Sequence, residues 1–275
     1  MRLRLASAIG ALAAIVAAAC DGEATSAPAP SPTPAGGAYL ALGDSLSFGI
    51  GASDPGATGF VALLQKALGD GFELINLGVP GHTSQDLIDG PLANGVDEIT
   101  QRNGDADPAN DVRLITLEIG GNDLLRLNAS LVDTGVCGTR DVALNSADCY
   151  LPLAETFEAY EANLERVLDT LQQAGPQVPI LLLTLYNPLA GLGERGRIAD
   201  LALEGMPDTR FEEGMNDIMR RGGEAHGVTV IDLYPAFQNE TRSLIAADFI
   251  HPNDAGYRLM ADAILEALTP QAELP

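Results

Sequence analysis

Ala38-Tyr39-Leu40-Ala41-Leu42-Gly43-Asp44-Ser45-Leu46-Ser47 is the stretch on which the reading of this chain turns. Ala38 to Leu42 is an apolar run of strand length, and Gly43 ends it. Beyond it the chain alternates strand-like and helix-like segments. Thr58 to Leu68 has helical spacing, with Phe60, Leu63, Leu64 and Leu68 on one face. Phe72 to Leu77 reads as a second strand, and Thr83 or Ser84 can cap the helix after it. Val112 to Ile119 is apolar enough for a central strand, and Ala154 to Ala174 carries Phe157, Tyr160, Leu164, Val167 and Leu171 in helical register. Val178 to Leu185, a polar helix around Phe211 to Ala225, the strand Val228 to Leu233 and a helix from Asn253 to Leu268 complete the series.

Alternating βα units of this kind favour a parallel sheet with helices on both faces. The alternation predicts one doubly wound α/β domain over residues 38–270 with five parallel strands, for which the flavodoxin-like order 2-1-3-4-5 is the expected one. Leu127 to Leu153 stands out as an insertion after the third strand and a candidate cap. In such sheets ligands bind at the carboxyl ends of the strands, near the point where strand order reverses. Ser45 follows the first strand, Gly78 the second and Asn122 the third, so all three are expected on one edge. His251 precedes the last helix, which can fold back over that edge.

The 275 residues carry a formal net charge of −23, and Lys66 is the only lysine. So acidic a surface is repelled by nucleic acid and anionic lipid headgroups, which excludes both as natural partners. At the N-terminus Arg2 and Arg4 precede an apolar, Ala-rich run from Leu5 to Ala19, the pattern of a cleaved export signal. A membrane span needs about 20 apolar residues, so this run is short for one. Cys20 follows Ala17-Ala18-Ala19 and resembles the lipidated cysteine of a bacterial lipobox; an ordinary cleavage site with Cys20 as an incidental thiol is the other reading. Residues 20–37, rich in Ala, Pro, Ser and Thr, read as an extended tether. The chain has three cysteines. With Cys20 lipidated, Cys137 and Cys149 remain to close a small disulfide loop in an oxidising compartment. The expected location is outside the cytoplasm, on a membrane anchor facing the cell exterior or periplasm.

Gly43-Asp44-Ser45-Leu46-Ser47, Asn76-Leu77-Gly78-Val79-Pro80-Gly81, Gly120-Gly121-Asn122-Asp123 and Asp248-Phe249-Ile250-His251-Pro252 together hold a nucleophile, oxyanion donors, a base and an orienting carboxylate. Each alone is common. In this order they resemble the four blocks of the SGNH/GDSL hydrolases, an esterase and lipase family. The resemblance implies that Ser45 is the nucleophile, His251 the general base and acid, and Asp248 its orienting carboxylate. It also implies an oxyanion hole made by the N–H groups of Ser45 and Gly78 and the amide of Asn122. Ser45 lacks a Gly-x-Ser-x-Gly elbow, which argues against the α/β-hydrolase fold. The implied activity is carboxylic-ester hydrolysis through an acyl-enzyme, on small to medium acyl chains, with no metal or cofactor and a monomer by default. A carbohydrate O-deacetylase on the same fold and a non-catalytic surface binding lipoprotein are the alternatives. An apolar tunnel under the Cys137–Cys149 insertion would favour a lipase, and an open polar groove the deacetylase.

Other polar residues have plainer readings. Asp44 suits a turn or a supporting hydrogen bond, and Asp123 a helix cap. His82 and His226 read as surface or structural, although His82 lies close enough to the Gly78 loop to touch a substrate. Asp105, Asp107, Asn110 and Asp111 lack EF-hand spacing and read as a solvated loop. Phe48 and Ile50 suit either an acyl pocket or packing beside the first helix, and Asn128 and Asn239 lie in glycosylation sequons.

Overall fold

The computed structural model describes residues 36–238 and 240–269. The leader, Cys20, most of the tether, Asn239 and the last six residues lie outside that range. Five parallel strands form one sheet: β1 (Gly37–Gly43), β2 (Phe72–Asn76), β3 (Val112–Glu118), β4 (Ile180–Leu183) and β5 (Thr229–Ile231). Their order is β2-β1-β3-β4-β5. The order reverses between β1 and β3, and the crevice there opens at the carboxyl ends of both strands.

Every residue of β1 is buried, which a strand covered on both faces requires. Ala38, Leu40 and Leu42 point into one layer, against Ile99, Leu164, Leu168 and Met219 from the helices Pro91–Asn103, Ala147–Ala174 and Met215–His226. Tyr39 and Ala41 point into the other, with Phe60 and Leu64 of helix Phe60–Leu68 and Met260 and Ile264 of helix Asp254–Leu268. Each fully buried Leu or Phe in these layers contributes about 1.5–3 kcal/mol. The two layers clamp the sheet from both faces and leave its carboxyl edge free for a site.

The structure departs from the sequence reading around the insertion. The long helix begins at Ala147 rather than Ala154 and contains Pro152. Pro152 is the sixth residue of the helix, inside it, and so removes one N–H bond from the helical ladder. A single wide turn (Asn128–Val132) and a short helix (Arg140–Asn145) precede it. Cys149, in the first turn of the long helix, is disulfide-bonded to Cys137, with Cα atoms 5.9 Å apart. A further helix, Glu194–Glu204, lies after β4 where the sequence gives only a weak apolar stripe. Among the described residues no helix is long and apolar enough to cross a membrane.

Candidate active site

Ser45 opens a one-turn helix, Ser45–Phe48, directly off the end of β1. Asp44 caps that helix, its carboxylate accepting from the Leu46 N–H at 3.0 Å. The Ser45 side chain is thereby held at the crevice between β1 and β3. The residue is only 8% exposed, so its hydroxyl reaches the surface through the crevice alone.

His251 meets Ser45 from the opposite side of the chain. Its Nε2 lies 2.9 Å from Ser45 Oγ, and its Nδ1 lies 2.6 Å from Asp248 Oδ2. The three-residue spacing works because Asp248 makes a local turn. Its Oδ1 accepts from the Ile250 and His251 N–H groups, both at 3.0 Å, which leaves Oδ2 for the imidazole. Phe249, between them, has φ 64°, a left-handed conformation stabilised by those bonds. The loop is pinned from several sides. The Tyr186 hydroxyl donates to Ile250 O, the Ala246 N–H donates to His251 O, and Ile245 bridges to Pro252. Gly51, at φ 91°, lets the turn after the Ser45 helix approach closely, since a Cβ there would lie 2.8 Å from that of His251.

The oxyanion candidates converge on the same edge, with their hydrogens already engaged. Asn122 lies in the first turn of helix Gly121–Leu127, and its Nδ2 donates to Asp44 Oδ2 and to His82 O, both at 2.9 Å. The Gly78 N–H donates to Asn76 Oδ1 at 2.9 Å, and Asn76 Nδ2 donates to Ser47 O at 2.7 Å. Asn76 therefore ties the loop after β2 to the Ser45 helix. Glycine at position 78 has a packing reason. A Cβ there would sit 2.8 Å from both Ser47 Cβ and Phe48 N. The close approach is to the helix that Ser45 opens.

A match to the GDSL-like lipase/acylhydrolase family model spans residues 41–259. The chain belongs to that family. It is 23% identical over 235 residues to the spore germination lipase LipC of Bacillus licheniformis, covering 83% of this chain and 95% of LipC. It is also 23% identical over 239 residues to the uncharacterized protein YpmR of Bacillus subtilis, covering 83% of this chain and 80% of YpmR. Among solved structures it resembles the lipase Lip_vut3 from a goat rumen metagenome, with a TM-score of 0.62 and 21% identity. That alignment covers 84% of this chain and 97% of Lip_vut3. The protein is thus a GDSL-type ester hydrolase on a single doubly wound α/β domain.

In this GDSL hydrolase a cavity of about 150 Å³ leads away from Ser45, Asn122 and His251. It runs beneath the insertion, between Leu124, Leu131, Ala143 and Leu153 on one side and Leu185, Ile198 and Ala202 on the other. The Cys137–Cys149 disulfide forms part of its wall. Polar lining side chains gather at the Ser45 end, and most of the rest is aliphatic. Phe48 is not part of the lining and is 48% exposed, and Ile50 gives its carbonyl to the Tyr257 hydroxyl.

The acids of the site differ in environment. Partial burial pushes the Asp248 carboxyl up, but the Ile250 and His251 N–H bonds and the imidazole outweigh it and hold Asp248 below the usual carboxylate range. Burial raises Asp44, against the bonds it accepts. Glu118, at the end of β3, is raised well above its ordinary value, by burial first and by the adjacent Asp44 carboxylate second. Burial also raises Asp123, which takes the N–H and hydroxyl of Ser84 and so caps the helix Ser84–Asp89. His82 contributes its carbonyl rather than its ring, and the ring of His226 bonds Gly222 O within its own helix. Asp105 and Asp107 accept from their own loop's backbone, at Asp107 and Ala109. Among the described residues no three or more His, Cys, Asp or Glu side chains converge as metal ligands.

Two residues escaped the sequence reading. Asn76 was visible only as part of the Gly78 stretch. Glu118 carried a signal that was passed over: an ionisable residue inside an otherwise apolar central strand must be buried, and a buried acid needs a reason.

Proposed function

We propose that this protein is a serine esterase that hydrolyses carboxylic esters of medium-length acyl chains through an acyl-enzyme. The observation that carries the proposal is the unbroken hydrogen-bonded chain Ser45 Oγ, His251 Nε2, His251 Nδ1, Asp248 Oδ2. His251 takes the proton as Ser45 Oγ attacks the ester carbonyl, and Asp248 fixes the tautomer and stabilises the imidazolium. Collapse of the tetrahedral intermediate expels the alcohol, which receives that proton from His251. Water then attacks the acyl-enzyme with His251 again as base, and the acid and free Ser45 are released. The oxyanion is held by the Ser45 and Gly78 N–H groups and the Asn122 amide. Asn76 Oδ1, Asp44 Oδ2 and His82 O now accept from the latter two. A developing oxyanion competes well for the hydrogens held by Asn76 Oδ1 and His82 O, both neutral acceptors, because charge-assisted bonds are roughly twice as strong as neutral ones.

The cavity supports the acyl preference. Each methylene buried in such a cavity contributes roughly 0.8 kcal/mol. An aliphatic lining beneath a capping insertion suits a hydrocarbon chain, with the alcohol left toward solvent. The protein is further proposed to be exported and anchored through lipid at Cys20, with residues 20–37 as tether. The test uses p-nitrophenyl esters from acetate to palmitate beside the Ser45→Ala variant. Turnover that peaks at medium chain length and vanishes in the variant is expected. Turnover surviving in Ser45→Ala, or a wild-type preference confined to acetate, would reject the mechanism or the acyl assignment respectively.

A further inference from the structure

Glu118 is the last residue of β3, wholly buried, and pairs in register with Gly43 of β1, one residue before Asp44. Neither of its carboxyl oxygens has a hydrogen-bond partner of good geometry. The Asp44 carboxylate is its neighbour, since Asp44 follows directly on Gly43, the in-register partner of Glu118. The other titratable groups around the pair are the hydroxyls of Tyr160, Tyr186 and Tyr257, with His251 beyond Asp44. A side chain needed only to fill this space would be aliphatic, because an unpaired buried acid costs stability.

Two carboxyls this deep in the fold cannot both ionise, so the pair keeps a proton. The donors decide which member holds it. Asp44 accepts from the Leu46 N–H and from the Asn122 amide, both of which favour its anion. Glu118 has no comparable set. We propose that Glu118 is a positioning residue of this active site: it donates a carboxyl proton to Asp44 and, through Asp44, fixes the Asn122 amide and the turn bearing Ser45. The inference rests on the reading of Ser45 and Asn122 given above. Loss of that proton by ionisation would set two negative charges against each other beneath the nucleophile and loosen Asp44 from Asn122.

The test combines infrared spectroscopy of the resting protein with kinetics of three variants. At neutral pH the wild type is expected to show the C=O band of a protonated, buried carboxyl. The band should persist in Ser45→Ala and disappear in Glu118→Gln. Glutamine keeps an N–H that can donate to Asp44, so Glu118→Gln should retain kcat within about threefold. Glu118→Leu should lose on the order of a hundredfold in kcat, the scale of one misplaced oxyanion donor, with KM nearly unchanged. A missing band, a band that survives in Glu118→Gln, or wild-type kcat in Glu118→Leu would overturn the proposal. Should Glu118→Leu fail to fold, the band and its fate in Glu118→Gln decide alone. Turnover surviving in Ser45→Ala would sink the parent reading while leaving the infrared result intact.

Discussion

Asp248 does two jobs with two oxygens, and this division explains why the base and its acid lie only three residues apart. One oxygen builds the turn and the other holds the imidazole. Asp248→Asn preserves the turn but presents an amide hydrogen to His251, favouring the wrong tautomer. A fall in kcat of about 10⁴ is expected, with some loss of thermal stability at neutral pH. The pH dependence follows from the same bonds. Asp248 is held below its ordinary value in the folded protein, so its contribution to stability is present above the ordinary carboxylate range. That contribution is lost as pH falls through the depressed value. Thermal melts from neutral to acid pH should therefore show a shallower acidic decline in Asp248→Asn than in the wild type; parallel curves would contradict the assignment. The sequence made the Asp248–His251 pair legible through spacing. It could not show which oxygen does what, because that depends on the left-handed turn at Phe249.

Between elements, the loop after β2 and the insertion are the parts that shape the site. Gly78 packs on the helix Ser45–Phe48, so Gly78→Ala must push the two apart. Overpacking of this sort costs about 1–3 kcal/mol, and the displaced N–H should lower kcat about a hundredfold. Melting and initial rates measured on one preparation would check both. The insertion is stapled by Cys137–Cys149 across a sequence separation of 12. A closed loop of this size is worth about 3 kcal/mol of stability. Replacing both cysteines by serine should lower Tm by several degrees and raise KM for octanoate esters more than for acetate esters, because the disulfide walls the cavity. Equal effects on both esters would mean that the insertion has no part in acyl binding. The strands were readable from their apolar runs, whereas helix Glu194–Glu204 was not. Its weak amphipathicity reflects a helix that lines a cavity instead of packing fully on the core.

At the scale of the molecule, the proposed acyl preference belongs to the cavity as a whole. Ala202, on helix Glu194–Glu204, and Ala143, on the insertion, leave space at its walls because they are small. Ala202→Phe should fill the volume of two or three methylenes. At ~0.8 kcal/mol per methylene this is roughly 2 kcal/mol, about thirtyfold in kcat/KM for octanoate esters, with acetate nearly unaffected. A uniform loss across the ester series would instead indicate damage to the fold, which a melting curve would register. The bulk charge of −23 has no part in this selectivity, because the lining near the acyl end is uncharged. It governs which surfaces the enzyme can approach.

The sequence by itself determined the α/β class, the residues brought to one sheet edge and, once Cys20 is set aside, the pairing of Cys137 with Cys149. Each of these follows from local pattern: apolar periodicity, the carboxyl-edge rule for parallel sheets, and cysteine arithmetic. The tertiary structure decided what lies across space. It brought the hydroxyl of Ser45 to within 2.9 Å of a base 206 positions away. It turned the insertion into a cavity wall, and it set Glu118 against Asp44 under the nucleophile. Packing distance and burial, which control hydrogen bonding and the cost of a charge, have no period along the chain from which they can be read.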